Sequence, residues 1–145
     1  MRLYLDTSAF LKLYVDEDGS GLVRERREQA TSVATALVTL VESRAALARR
    51  RHHGDVSATH HRDALVSLAD DWERVVRIDV NERLVNRAAQ LAETHRLRGY
   101  DAIQLASGLL FAERLGEDTL FCSWDDALDA AAAREGLPLL RVRRC

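Results

Sequence analysis

The sequence predicts an α/β domain: a parallel sheet covered by helices on both faces. Three observations carry that expectation. Short apolar runs alternate with amphipathic stretches, the pattern of strand–helix–strand units. The strand-like runs are short and apolar, as expected of strands buried on both faces. Finally, Asp6 and Asp125 directly follow two of those runs, and active sites of open sheets lie outside the carboxyl ends of their strands.

Residues 2–6 read as a first strand ending at Asp6. Thr7 or Ser8 can cap the helix expected over 10–15, because each offers an oxygen to the free amides of a first turn. A polar break at 16–20 contains Gly19, and a charged, exposed helix follows at 21–29. Residues 31–34 read as a second strand. Thr35 can cap a helix running to about Arg51, with Leu37, Val38, Leu40, Val41, Ala45 and Leu47 as its apolar positions. His52, His53 and Gly54 close it. Asp55 begins another helix, with Leu65, Leu68 and Trp72 on its apolar face. Residues 74–79 read as a third strand. The stretch 80–96 is helical, with Leu84, Val85, Ala88 and Leu91 on one side. Gly99 separates it from an apolar helix over 101–114. A fourth strand is expected at 119–122, a helix at 126–134 ended by Gly136, and a fifth strand at 139–142. Pro138, the only proline, suits a strand's entry or edge. No repeat, low-complexity stretch or linker interrupts the chain, so residues 1–145 read as a single domain.

With 145 residues, 47% of them hydrophobic and 30% charged, the chain has the balance of a globular domain with a real core. No apolar run approaches the roughly 20 residues needed to cross a membrane. The N-terminal apolar stretch meets Asp6 at once, unlike a signal peptide. A cytoplasmic protein with no membrane partner is expected. Cys122 and Cys145 form neither a disulfide framework nor a zinc motif, and Cys122 reads as a small core hydrophobe. His60 and His61 have no partners at metal-site spacing. The formal charge of −2 becomes +2 once four candidate site carboxylates are set aside. The positive charge is nearly all arginine, with Lys12 the only lysine. Arginine suits bidentate phosphate contacts, yet a GC-rich genome also produces arginine. Net charge alone therefore does not predict nucleic-acid binding. Arg49, Arg50, Arg51, His52 and His53 read as a solvated helix end that complements the dipole. Trp72 and Trp124 read as core or interface anchors.

Four isolated acids stand beside segments that ought to be buried: Asp6 in RLYLDTSAF, Glu42 in LVTLVESRAAL, Asp101 in RGYDAIQLASGLL and Asp125 in LFCSWDDAL. Such residues are seldom fully buried unless paired. Two carboxylates about 4 Å apart repel by roughly 4 kcal/mol at an effective dielectric of about 20. A converging set therefore takes up protons or holds a divalent cation. Oxygen-only donors suit Mg²⁺ or Mn²⁺ and not zinc. The pattern points to a metal-dependent phosphodiesterase using in-line attack of water, leaving 5′-phosphate and 3′-hydroxyl ends. Glu42 or Asp101 could assist proton transfer. Two other acidic α/β classes fail on their residues. A phosphoryl-accepting receiver needs a lysine late in the chain, and a dehalogenase-type phosphatase needs Asp-x-Asp, whereas Ser8 stands two residues after Asp6.

Taken in order, YLDTSAFLKLY, VESRAAL, GYDAIQLASGLL and CSWDDALDAAAAREGL resemble the four motifs of PIN-domain ribonucleases, especially VapC toxins of bacterial toxin–antitoxin pairs. The resemblance spans nearly the whole chain. It implies a PIN-like three-layer α/β/α sandwich with a central parallel sheet of about five strands. It further implies one or two Mg²⁺ (or Mn²⁺) ions held by Asp6, Glu42, Asp101 and Asp125, an RNA substrate, a VapB-type antitoxin and a homodimer. Asp125 and Asp126 compete for the fourth position. The spacing to Leu128 favours Asp125, while Ser123 and Asp126 could form a capping box. Ser8 and Ser123 could orient carboxylates or metal-bound waters. Three functions stay open: a toxin endoribonuclease, a non-toxin PIN nuclease in RNA or DNA processing, and a catalytically inactive PIN binding module. Retention of all four acids weighs against the last.

Overall fold

The computed structural model describes residues 1–115 and 118–141. Among these residues four strands, β1 (Arg2–Leu5), β2 (Ser32–Ala36), β3 (Val76–Ile78) and β4 (Thr119–Cys122), form one sheet in the order β3-β2-β1-β4. Every pairing is parallel: Leu3 lies opposite Val33 on one side and Leu120 on the other, and Ala34 lies opposite Val76. The chain steps outward from β1 to β3, then returns to lay β4 on the free side of β1. That reversal puts a topological switch point beyond the carboxyl ends of β1 and β4. Where a fifth strand was expected, Leu139 makes a single parallel bridge to Phe121. Phe121 N–H donates to the Pro138 carbonyl and Leu140 N–H to the Phe121 carbonyl. Val142, which would end that strand, and Cys145 lie outside the described residues.

Strand alternation sorts the sheet's side chains into two cores. Tyr4, Ala34 and Phe121 face one side, under α5 (Glu82–His95), α6 (Gly99–Leu115) and α7 (Asp126–Arg134). Leu3, Leu5 and Cys122 face the other, under α1 (Thr7–Leu11), α2 (Ser20–Gln29), α3 (Thr39–His52) and α4 (Ala58–Trp72). This is the expected three-layer sandwich. Tyr4 and Phe121 stack with centroids 5.4 Å apart. Gly108 on α6 admits the pair, because a Cβ there would stand 2.8 Å from the Phe121 ring. Trp72 meets Phe10 edge-on in the second core, the anchor role read for it.

Several boundaries moved, for physical reasons. Asp6, not Thr7 or Ser8, caps α1, accepting the Ala9 amide at 2.9 Å. That helix stops at Leu11, where the chain tightens into i→i−3 turns, with the amides of Lys12, Leu13 and Tyr14 donating to the Ala9, Phe10 and Leu11 carbonyls. Lys12 is buried and turns its ammonium to Glu17 Oε1 at 3.0 Å and the Asp18 carbonyl at 2.6 Å. Thr35 does not cap α3. It belongs to β2, where it pairs with Arg77, and its hydroxyl donates to the Leu5 carbonyl at 2.7 Å. Ser57 caps α4 in place of Asp55. Gly99 begins α6 rather than separating it from α5. Val85, expected on the buried face of α5, is exposed. Cys122 is fully buried, as a core hydrophobe should be.

Candidate functional site

All four acids line one cavity of about 490 Å³ at the switch point. Each is carried by a helix N-terminus. Asp6 caps α1 and Asp125 caps α7, accepting the Leu128 amide at 2.9 Å. Glu42 sits in the first turn of α3 and Asp101 in the first turn of α6. The positive ends of four helix dipoles therefore surround the carboxylates and offset part of their mutual repulsion. The Ser123–Asp126 capping box does not form. Ser123 Oγ instead donates to Asp129 at 2.6 Å, and Asp125 takes the cap.

Asp6 is the most constrained of the set, at 4% exposure. Ser8 Oγ donates to its Oδ1 at 2.7 Å and is itself fixed by the Trp124 amide at 2.9 Å. Burial, reinforced by the negative charge of Asp101 and Asp129, lifts its carboxyl to a pKa of about 7 despite the Ala9 and Ser8 hydrogen bonds. Both of those bonds fall on Oδ1, so Oδ2 is available to a further ligand.

Glu42 is held by groups the sequence reading missed. Thr7 Oγ1 donates to its Oε1 at 2.7 Å, and Gln104 Nε2 lies 3.2 Å from the same oxygen. Gln104 is buried, and Tyr4 O–H donates to its Oε1 at 2.7 Å. A carboxylate only accepts, so Glu42 fixes which end of the Gln104 amide faces it. Arg50 pairs instead with Glu17 at 2.9 Å. Asp101 and Asp125 are joined by Arg98, whose Nε donates to Asp101 at 3.2 Å while Nη2 lies 3.6 Å from Asp125.

Behind this set, Asp129 accepts from Ser123 and from Arg141 at 2.8 Å, and burial raises its carboxyl above the usual range. Lys12 and Arg141 each place a cation over the Trp124 ring, 4.6 and 5.2 Å from its centre. Gln104 and Asp129 did carry a sequence signal. Each is a polar residue among apolar helical neighbours, one turn beyond a candidate acid.

As the side chains stand, no three His, Cys, Asp or Glu groups among the described residues are gathered to hold one ion. Their partners account for that: Glu42 is drawn to Thr7 and Gln104, and Asp101 and Asp125 to Arg98. The donor chemistry fits a hard dication nonetheless. Four carboxylates from four elements line one cavity, and a buried Asp6 with a free oxygen gains most from a nearby cation.

Residues 3–133 match the PIN domain family. The chain is a PIN domain of the VapC type. Two relatives from Mycobacterium tuberculosis, Ribonuclease VapC45 and Ribonuclease VapC49, are each 31% identical to it over 135 residues, 92% of this chain and 91% of theirs. Solved structures share the fold of this PIN domain at low identity. FitAcB from Neisseria gonorrhoeae has a TM-score of 0.65 at 15% identity, covering 94% of this chain and 95% of its own. VapBC-1 from nontypeable Haemophilus influenzae has a TM-score of 0.61 at 15% identity, covering 96% of both. No helix among the described residues of this PIN domain is long and apolar enough to cross a membrane.

Proposed function

We propose that this chain is a Mg²⁺-dependent endoribonuclease, the toxin of a VapBC-type pair held in check by a cognate antitoxin. One observation carries the reading. Asp6, Glu42, Asp101 and Asp125 line a single cavity in a chain 31% identical, over 92% of its length, to proteins named Ribonuclease VapC. RNA as substrate rests on those relatives. The antitoxin rests on structural neighbours described as VapBC and toxin–antitoxin complexes.

Asp6, Asp101, Asp125 and Glu42 would hold the metal. When bound, it supplies a water of lowered pKa and neutralises charge on the phosphodiester. The chain's own groups prepare that chemistry. Ser8 and the Ala9 amide fix Asp6, and the Leu128 amide fixes Asp125. Thr7 and Gln104 aim Glu42, leaving its second oxygen to accept a proton. A carboxylate lifted to a pKa of about 7 stays substantially protonated at neutral pH until a cation displaces the proton.

The test is cleavage of total RNA by purified protein with Mg²⁺ and with EDTA. Asp6→Asn and Asp101→Asn are expected to lose Mg²⁺-dependent cleavage while keeping the fold. Activity that survives EDTA, or survives in both variants, overturns the reading. Co-purification with the product of a short reading frame immediately upstream tests the antitoxin.

A further inference from the structure

Arg98 stands between the acids of α6 and α7. Its guanidinium touches Asp101 Oδ2 at 3.2 Å and approaches Asp125 Oδ2 at 3.6 Å. Without a cation between them, two carboxylates in one cavity repel. The Arg98 side chain is itself 83% exposed. It leaves the short link between α5 and α6, just past Arg96 in the left-handed conformation. Charge partners hold it there, not packing, and an exposed pair is weak.

We propose that Arg98 is the removable counter-ion of this site: it bridges Asp101 and Asp125 while no dication is bound, and turns to an RNA phosphate once one is. The proposal rests on the metal-dependent ribonuclease reading above. A guanidinium and a dication cannot share Asp101 and Asp125 without like-charge repulsion, and the dication attracts each carboxylate twice as strongly at equal distance. The displaced guanidinium remains at the cavity mouth, tethered by a flexible stem. Its planar fork matches a phosphate. Arg49 also lines the cavity, but from α3, the helix that carries Glu42. Arg50 is committed to Glu17, and Arg141 to Asp126 and Asp129.

The first arm titrates Mg²⁺ calorimetrically into metal-free wild type, Arg98→Gln and Arg134→Gln. Arg134 ends α7, well away from the Asp125 end, so its loss controls for net charge. Arg98→Gln is expected to bind Mg²⁺ up to about fivefold tighter than wild type, the range an exposed pair allows. Arg134→Gln is expected to match wild type. The second arm follows anisotropy of a labelled single-stranded oligoribonucleotide of about 20 nucleotides across KCl concentrations in the cold, with gels confirming intact RNA. In Mg²⁺ the wild-type log–log salt slope is expected to exceed that of Arg98→Gln by about 0.7, one phosphate contact on a single strand. In EDTA the two slopes are expected to coincide. Equal or weaker Mg²⁺ binding by Arg98→Gln overturns the proposal, and so do equal slopes in Mg²⁺. If wild type binds Mg²⁺ and cleaves RNA while either result fails, Arg98 alone is misassigned. If wild type binds no Mg²⁺, the ribonuclease reading falls and takes this proposal with it.

Discussion

Replacing Asp6 with Asn should stabilise the metal-free protein, and by an amount that grows with pH. The folded carboxyl has a pKa of about 7, against about 3.9 for an unperturbed aspartate. Between those values the folded chain holds a proton that the unfolded chain has released. Stability is therefore lost as pH rises through that window and levels off above about pH 7. Three units at 1.36 kcal/mol each give about 4 kcal/mol in total. About 2–3 kcal/mol of that falls between pH 5 and pH 8. The substituted side chain cannot ionise, yet its amide oxygen can still accept the Ala9 amide and the Ser8 hydroxyl, so the cap survives. Urea unfolding of both proteins in EDTA at pH 5, 6, 7 and 8 isolates the effect as a difference. The advantage of Asp6→Asn should climb by about 2–3 kcal/mol across the series. A flat difference would refute the claim that burial suppresses ionisation of Asp6. Saturating Mg²⁺ should stabilise the wild type by about 4 kcal/mol at 1,000 times Kd, which cancels the advantage of Asp6→Asn at pH 8 and reverses the order at pH 5.

Gln104→Met should strand the buried Tyr4 hydroxyl and release Glu42, costing about 1–3 kcal/mol in chemical unfolding; adding Tyr4→Phe should recover part of that loss. Gly19→Ala should cost about 2–4 kcal/mol, because Gly19 sits at φ 86 and its new Cβ would meet the Trp124 ring at 2.0 Å. Trp fluorescence and thermal melts read both effects. Asp125→Asn should cut Mg²⁺-dependent RNA cleavage at least tenfold, whereas Asp126→Asn should leave it within twofold; the opposite order in a cleavage assay would assign the fourth position to Asp126.

The alternation of apolar runs made the layered architecture legible, because a parallel sheet buries both faces of each strand. The same logic placed Asp6 and Asp125 at strand ends, and both line the cavity. The misread caps share one cause: capping propensity is local, while the partners that override it are set by the fold. Thr35 looks like a helix cap, but pairing with Arg77 keeps it in β2. Thr7 and Ser8 look like caps, but Asp6 takes that role and frees them to hold Glu42 and Asp6. The Gln104 network was out of reach for the same reason. It joins Tyr4, Thr39 and Glu42 across up to 100 residues of chain, and no local pattern encodes such a meeting.

The pairing of β4 beside β1 has a consequence for synthesis. Of the four acids Asp6 is translated first and Asp125 last, and Leu5 pairs with Cys122 to bring their strands side by side. A chain still emerging from the ribosome lacks the second wall of the cavity. Products truncated before that point lack an acid as well as the strand that carries it. A chain that needs all four acids to cut RNA has therefore been translated through Asp125 before it can do harm.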